Sequence, residues 1–341
     1  MRGGKRSRFE PGGAPGLRLT ERDIEIVKAV ASYRVLDAQL IGRVLPLSGF
    51  EARGIDARTG EIDHAKKIRD RLTELFHGRL LSRPRAGFSF AFPGSEAIVY
   101  APGPGASDLL RHRTDIDVDP NAIRKAQTAQ RGFLEHQLLT NAVAISFREA
   151  AARRTDLRIE IDDAVLDSAT ADHARAYRFG ADIVLGDERR KIGIVPDLTM
   201  TISKAGRTHA YFVEIDRQTE PAVRQCRSRG KRQPTLTGTS ILRKLLGYAA
   251  VKASGTVEER LGWRNFKVLF VCEPRPGGGD RIARLIEIVQ RYAPQKAGLF
   301  LFALAEDIAA SSDIMQAVWC DASGNTRRLD PSDFSEHKRI S

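Results

Sequence analysis

Two runs of alternating apolar and polar residues, joined by a short polar turn, stand out in residues 194–220. In the first run Leu198, Met200 and Ile202 alternate with polar residues, and residues 203–206 supply the turn. In the second run one face carries Tyr211, Val213 and Ile215, and the other carries Phe212, Glu214 and Asp216. A period of two residues on either side of a turn predicts a β-hairpin.

The alternation assigns acids to one side of this hairpin. Glu214 and Asp216 fall on the same face of the second strand, because successive side chains point to opposite faces. Asp197 joins them if the start of the first strand lies beside the end of the second. Three carboxylates so close repel one another unless cations neutralise them, and hard divalent cations prefer oxygen ligands.

The N-terminal part shows a helical period instead. Apolar residues recur at helical spacing in residues 20–33, 37–45 and 63–77, which predicts three helices. Thr20 and Asp37 are the predicted N-terminal caps of the first two. Residues 46–60 are predicted to form a loop, and Gly78 to end the third helix. Strands are predicted at 80–83 and 98–101. Three helices followed by a hairpin is the order of a winged helix, in which the third helix enters the major groove of DNA.

Two basic groups of residues are the predicted nucleic-acid contacts. They are Lys66, Lys67, Arg69, Arg71, Arg83 and Arg85 around the third helix and wing, and Arg224, Arg227, Arg229, Lys231 and Arg232 after the acidic strand. The alternative for the first group is a helical packing domain whose basic residues are only solvated. Asp70 and Glu74 favour this alternative, because their negative charges repel phosphate. The alternative for the second is a solvated flexible loop.

The rest of the chain predicts a mixed sheet. A Gly/Pro-rich segment ends the first domain, a long helix follows over 121–154, and Glu135 on it is a further acid candidate. Strands are predicted at 157–161, 183–185, 266–272 and 298–304, with a helix over 280–292 between the last two and a final hairpin turning at 321–325. Strand, helix and strand in this order indicate a parallel crossover.

These elements define the predicted domains and fold class. The expected divisions are a basic tail (1–18), a winged-helix domain (19–106), a linker (107–125), an α/β domain (126–330) and a second tail (331–341). The fold class is α/β (mixed), an N-terminal winged-helix domain followed by a mixed sheet covered by helices.

Charge and composition limit the partners. The 341 residues carry a formal net charge of +12 and a pI near 9.9, which indicates a polyanionic partner such as DNA, RNA or anionic lipid. No apolar run is long enough to cross a bilayer, so no membrane association is expected. The three cysteines are not spaced as metal pairs, which is typical of a reducing cytoplasm.

Pro196-Asp197, the strand over 212–220 and the helix containing residues 244–248 together resemble the replication-relaxation family of plasmid and mobile-element proteins. The resemblance extends from about residue 19 to about residue 303. It implies a winged helix ahead of a restriction-endonuclease-like mixed sheet, in a domain similar to PD-(D/E)XK nucleases. It also implies a role in mobile-element replication or DNA relaxation. The implied partners are double-stranded DNA and replication or relaxation proteins, and a homodimer is left open.

The resemblance also implies a site for metal-dependent phosphodiester cleavage, with Mg²⁺ as its cofactor. The metal-ligand candidates are Asp197, Glu214 and Asp216, and Lys244 completes the catalytic set. A nuclease of this type has a lysine where this chain has Asp216, so Lys244 is expected to supply the cation from the neighbouring helix and Gln218 to orient water.

The departure at Asp216 leaves three hypotheses. The first is a DNA-binding protein whose nuclease-like domain is degenerate, its acids forming a polar face paired with Arg217 and Lys244. The second is a Mg²⁺-dependent DNA endonuclease using Asp197 and Glu214. The third is a protein-binding adaptor.

Overall fold

The computed structural model describes residues 10–50, 64–86, 98–114, 120–162, 176–228, 231–275, 277 and 280–329. The chain divides into two compact units, Met1–Ile145 and Ser146–Ser341. The division lies inside a long helix, C-terminal to the predicted linker.

The first unit combines helices with a small antiparallel sheet in the order β1-β3-β2. Its elements are α1 (Glu21–Tyr33), β1 (Leu36–Asp37), α2 (Ala38–Leu47), α3 (His64–His77), β2 (Leu81–Ser82), β3 (Val99–Pro102), α4 (Ala106–Arg113) and α5 (Pro120–Gln127). The next helix, α6 (Arg131–Arg153), runs across the division. The predicted order of three helices and a hairpin is therefore present.

Side-chain caps fix where the first two helices begin. The Thr20 hydroxyl accepts a hydrogen bond from the Asp23 N–H, and the Asp23 carboxylate accepts one from the Thr20 N–H at 2.7 Å. Asp37 caps α2 by accepting from the Leu40 N–H at 2.8 Å. Each cap satisfies a backbone donor that the helix itself leaves without a partner, as the sequence predicts.

Two boundaries of the first unit differ from the prediction. The helix α2 continues through Pro46, which was expected to open a loop, because a proline in the last turn costs few helical hydrogen bonds. The predicted linker contains α4 and α5, and Ala106 and Leu110 of α4 are buried in the core of the first unit. The glycines and prolines that suggested a linker lie mainly just ahead of α4.

The second unit is built on a seven-stranded mixed sheet in the order β14-β13-β12-β11-β8-β7-β4. Its strands are β4 (Arg158–Ile161), β5 (Phe179–Leu185), β6 (Glu188–Ile194), β7 (Leu198–Lys204), β8 (Arg207–Asp216), β9 (Gln225–Ser228), β10 (Lys231–Pro234), β11 (Phe266–Cys272), β12 (Phe300–Leu304), β13 (Trp319–Asp321) and β14 (Thr326–Arg327). The β5–β6 and β9–β10 pairs are separate two-stranded ribbons.

The connections of the second unit include four α-helices. They are α7 (Ile241–Ser254), α8 (Thr256–Leu261), α9 (Arg281–Tyr292) and α10 (Ala305–Ala310). The strand β11 runs parallel to both β8 and β12, while the other pairs in the large sheet are antiparallel. The predicted mixed α/β class and the crossover through α9 are confirmed.

Phe212 lies at the centre of the core on one face of this sheet. Its ring packs 4.9 Å from the Phe266 ring and 6.0 Å from the Tyr248 ring, centroid to centroid. Gly247 lets α7 approach the β5–β6 ribbon, since a Cβ there would lie 2.5 Å from an Ile194 methyl. The helix α7 is therefore held firmly against this core, which fixes the positions of the polar side chains it carries.

Among the helices of the described ranges, none combines the length and apolar character needed to cross a membrane.

Candidate functional site

The β7–β8 hairpin brings Asp197 beside Glu214. Leu198 pairs with Val213 in the antiparallel register, and the Asp197 N–H donates to the Val213 carbonyl at 3.0 Å. The Asp197 carboxylate in turn accepts a hydrogen bond from the Ile215 N–H at 2.8 Å. The start of the first strand thus lies next to the end of the second, the register that an acid pair requires.

Two side chains of α7 hold Glu214. Its carboxylate is buried, with 3% of the side chain exposed, and its Oε2 lies 3.0 Å from the Lys244 Nζ. The Tyr248 hydroxyl donates to Oε1 at 2.5 Å. Ser240 caps α7, and Lys244 and Tyr248 follow one helical turn apart, so both reach the same carboxylate.

Burial and charge set the protonation of this cluster. Burial raises the pKa of Glu214 to about 7, and the nearby charge of Asp197 acts in the same direction, while Lys244 and Tyr248 oppose the shift. The charge of Glu214 raises the pKa of Lys244, with Asp197 and Glu220 adding to the effect. Burial raises the pKa of Tyr248, which therefore stays a neutral donor.

Asp216 follows on the same face of β8 but belongs to a different interaction. The Arg281 guanidinium donates to both of its oxygens, at 2.6 and 3.1 Å, and the Gln218 N–H donates to Oδ1 at 3.0 Å. Only 2% of the Asp216 side chain and 10% of the Arg281 side chain are exposed. An arginine from α9 therefore neutralises Asp216, the acid at which the sequence departs from the pattern expected of a PD-(D/E)XK nuclease.

Three further residues considered in the sequence analysis make other hydrogen bonds. Arg217 pairs with Glu273 at 3.1 Å, and the Gln218 side-chain amide donates to the Glu273 carbonyl at 2.9 Å. Glu135 pairs with Arg131 on the same helix at 2.7 Å. Hydrogen bonds of Arg217 and Gln218 thus connect the end of β8 with Glu273, the residue that follows β11.

The carboxylates do not fit Mg²⁺ as they are arranged. Both Glu214 oxygens have donors, one Asp197 oxygen accepts a backbone N–H, and Asp216 is paired with Arg281. Across the described ranges, no group of three Asp, Glu, His or Cys side chains is placed to hold a metal ion. Octahedral oxygen coordination would require Lys244 or Tyr248 to release Glu214.

The basic residues of the first unit fall into two sets. Arg71 donates to Asp23 at 2.7 Å and is also paired with Glu74, while Arg83 is buried with its guanidinium 4.3 Å from the Phe76 ring centre. Arg71 and Arg83 thus act within the fold. Arg69 and Arg85 are exposed, and the side chains of Lys66 and Lys67 on α3 lie outside the described residues.

The basic segment after β8 is a ribbon, where the sequence suggested a flexible loop or a phosphate-binding segment. Arg227 of β9 and Arg232 of β10 are direct partners in its register, and both are exposed, as is Lys231. Arg224 donates to the Thr239 carbonyl at 2.8 Å near the base of the ribbon. Arg229 lies outside the described residues.

Sequence reasoning missed three partners that decide these geometries. Tyr248 and Arg281 fix the two acids of β8, and Asp23 fixes Arg71. The helical spacing of Lys244 and Tyr248 is the one signal that points to Tyr248 in advance. Arg281 and Asp23 lie far along the sequence from their partners and carry no such signal.

The fold and site define a protein of mixed α/β class that carries a buried glutamate next to Asp197 and, after β8, a basic ribbon. A sequence model of the replication-relaxation family matches residues 41–263, the greater part of the chain, and the protein belongs to that family. Membership gives it a general role in mobile-element replication or relaxation. No curated protein and no solved structure matches the chain.

Proposed function

We propose that this protein binds duplex DNA during replication or relaxation of a mobile element. In this proposal the first unit grips the duplex as a winged helix, and the second unit docks DNA or a replication partner without cleaving it. Family membership supplies the general role. The DNA contact and the division of labour between the units are the further steps proposed here.

The first unit supports the proposal through the order of its elements. The paired strands β2 and β3 follow α3, the third of three helices, so α3 takes the place of a recognition helix and β2 and β3 those of the wing strands. Arg69 and Arg85 are exposed, and the Arg85 guanidinium lies 3.8 Å from the Glu10 carboxylate. Arg71 and Arg83 make their contacts within the fold. We therefore propose a DNA-contact surface in the first unit that has fewer basic residues than the sequence predicts.

The observation that carries the proposal is the basic ribbon. Arg227 and Arg232 are directly opposite each other, and like charges in this position destabilise a pair of strands. The repulsion between these two exposed arginines is relieved when a polyanion neutralises them. DNA is such a polyanion, and its phosphates release counterions when basic side chains contact them. We therefore assign the ribbon to the DNA backbone, where it contributes affinity and no base specificity.

A binding titration tests this assignment. The double variant Arg227→Ala/Arg232→Ala should lower affinity for a duplex of any sequence and reduce the slope of log K against log salt by about 2, since each phosphate contact contributes about 0.9. The control is Arg284→Ala/Arg291→Ala, which removes the same charge from exposed positions of α9. Equal affinity and equal slopes for the two double variants would refute the role of the ribbon.

The second candidate is a DNA endonuclease, and one observation favours it. Lys244 brings a cation to Glu214 from α7, and Arg281 neutralises Asp216, so the charge reversal at Asp216 is compensated. Supercoiled DNA incubated with Mg²⁺ or Mn²⁺ separates the two functions. Nicking that disappears in both Asp197→Ala and Glu214→Ala supports the enzyme, whereas intact DNA with a retained gel shift supports the binder.

The adaptor hypothesis is distinguished by the same experiments. A protein that only binds other proteins gives no gel shift at modest salt, and replacing the basic ribbon changes nothing. A salt-dependent gel shift therefore excludes it.

A further inference from the structure

The loop between β10 and α7, residues 235–239, is held by arginine side chains from outside it. The Arg224 Nε donates to the Thr239 carbonyl at 2.8 Å, and the Arg243 Nη1 donates to the Gly238 carbonyl at 3.0 Å. Both acceptors are neutral, and in the part of the chain that the structure describes neither guanidinium is paired with a carboxylate. The two contacts therefore bring positive charges to adjacent residues without compensating them.

A third arginine and one glutamate lie beside the same loop. Arg190 of β6 is exposed, and its Nη2 lies 3.5 Å from the Thr237 hydroxyl. Glu188 accepts hydrogen bonds from the Thr235 hydroxyl and the Leu236 N–H, both at 2.8 Å. The glutamate thus fixes the start of the loop, and three arginines against one acid leave a net positive charge around it.

Gly238 allows the closest of these contacts. Its φ of 74° is in the left-handed region, which favours glycine. A Cβ at this position would lie 2.9 Å from the Arg224 Nε and 3.1 Å from the Arg224 Cδ. The Arg224 side chain therefore lies directly against the loop backbone, in a place that only a residue without a side chain leaves open.

The first turn of α7 adds no free donors here. Ser240 caps the helix, and the N–H groups of Ile241 and Leu242 donate to the carbonyls of residues 221 and 222 at 3.1 and 2.9 Å. An anion at the loop is therefore held by the guanidiniums. Each guanidinium presents several N–H groups in one plane, and this geometry matches the oxygens of a phosphate group.

We propose that the β10–α7 loop, with Arg190, Arg224 and Arg243, is a second phosphate-contact site that takes phosphodiester groups of the DNA backbone. The site lies at the base of the basic ribbon, because Arg224 directly precedes β9 and the Thr235 N–H donates to its carbonyl at 3.0 Å. It extends the contact of the ribbon towards the start of α7. This inference rests on the proposed binding of DNA by the second unit.

Removing the two guanidiniums that hydrogen-bond to the loop tests the role of their charge. In fluorescence anisotropy with a labelled duplex, Arg224→Ala/Arg243→Ala should lower affinity at least roughly tenfold at about 0.1 M salt and reduce the slope of log K against log salt by about 2. Arg284→Ala/Arg291→Ala removes the same charge from exposed positions of α9 and should keep the wild-type values. Equal effects of the two double variants would overturn the proposal. If circular dichroism shows that Arg224→Ala/Arg243→Ala does not fold, Arg190→Ala/Arg224→Ala, which changes exposed residues alone, is held to the same expectations.

A glycine variant tests the geometry of the site while every charge stays in place. Gly238→Ala puts a Cβ where the Arg224 side chain lies, so it should lower duplex affinity by roughly threefold or more. Gly206→Ala is the matched control, since Gly206 has a φ of 76° and its added Cβ meets nothing within 4 Å. Equal affinities of the two glycine variants would show that the arrangement of the arginines is irrelevant, against the proposal.

Inorganic phosphate tests whether DNA is the source of the phosphate. At constant ionic strength, replacing chloride with phosphate should weaken duplex binding equally in the wild type and in Arg224→Ala/Arg243→Ala. A larger effect on the wild type would show a site for free phosphate and overturn the assignment to the DNA backbone.

The same titrations separate failure of this inference from failure of the proposed function. A wild-type protein that does not bind duplex DNA overturns both. Binding that depends on Arg227 and Arg232 but is unchanged by the loop variants overturns this inference alone.

Discussion

Arg281→Met removes the guanidinium that neutralises Asp216, and the structure sets the size of the effect. The pair is almost fully buried, with two hydrogen bonds between the side chains. Removing one partner of such a pair leaves an uncompensated buried charge and costs about 3–5 kcal/mol of unfolding free energy. In a domain of this size, that loss corresponds to a fall of roughly 6–20 °C in melting temperature.

Urea unfolding of the full chain measures this loss. Trp263 and Trp319, the only tryptophans in the sequence, both belong to the second unit, so their fluorescence reports on it. Arg284→Met is the control, because Arg284 is on the same helix and forms an exposed ion pair with Glu287. Exposed pairs contribute at most about 1 kcal/mol.

The double variant Asp216→Asn/Arg281→Met completes the cycle. It removes both charges, so it should recover much of the stability that Arg281→Met loses. Our assignment of Asp216 to a structural ion pair is refuted if Arg281→Met costs no more than Arg284→Met, or if the two substitutions in the double variant simply add. Asp216→Asn alone should leave DNA affinity unchanged in the gel shift.

Four further outcomes are expected. Tyr248→Phe should lower the unfolding free energy by about 1.5–3 kcal/mol in urea titrations, because it removes a hydrogen bond to a charged group. Since the pKa of Glu214 rises from 4.5 to about 7 on folding, folding takes up a proton between these values. Stability should therefore fall by about 3 kcal/mol as pH rises through this interval, and the fall should be absent from Glu214→Gln. Gly247→Ala should destabilise by about 1–3 kcal/mol through overpacking, whereas Gly132→Ala, whose added Cβ meets nothing within 4 Å, should not. Arg83→Ala should lower the melting temperature measured by calorimetry while leaving the salt dependence of DNA binding unchanged, because Arg83 is a buried cation.

The parts of the structure that could be predicted are local in sequence. The period of two in residues 194–220 fixes the faces of β7 and β8, and the short turn fixes their register. Asp197 and Glu214 meet for these reasons alone. The caps at Thr20, Asp37 and Ser240 follow from single side chains next to each helix start.

The partners of the acids could not be predicted, because they come from distant segments. Asp216 meets Arg281 through the parallel pairing of β8 with β11, which sets Cys272 beside Asp216 and starts α9 nearby. Neither spacing nor periodicity encodes that pairing. The ion pair of Arg71 with Asp23 could not be predicted either, because the two residues are far apart in sequence. Helical periodicity shows only that Arg71 flanks the apolar face of its helix.

The linker predicted over residues 107–125 contains helices, because the glycine and proline content was read over a segment that is too long. The segment 102–120 contains glycine and proline, but a short amphipathic stretch within it buries Leu110 and forms α4. A helix of this length depends on tertiary packing, so its sequence signal is weak.

The parallel pairing of β8 with β11 also constrains how the chain folds during synthesis. The hairpin of β7 and β8 pairs residues that are neighbours in sequence, so its contacts are local. Asp216 is different, because its counter-charge at Arg281 emerges from the ribosome only after β11 has been made. Until then the nascent second unit carries an acidic strand end open to solvent, and docking of β11 and α9 is the event that seals it.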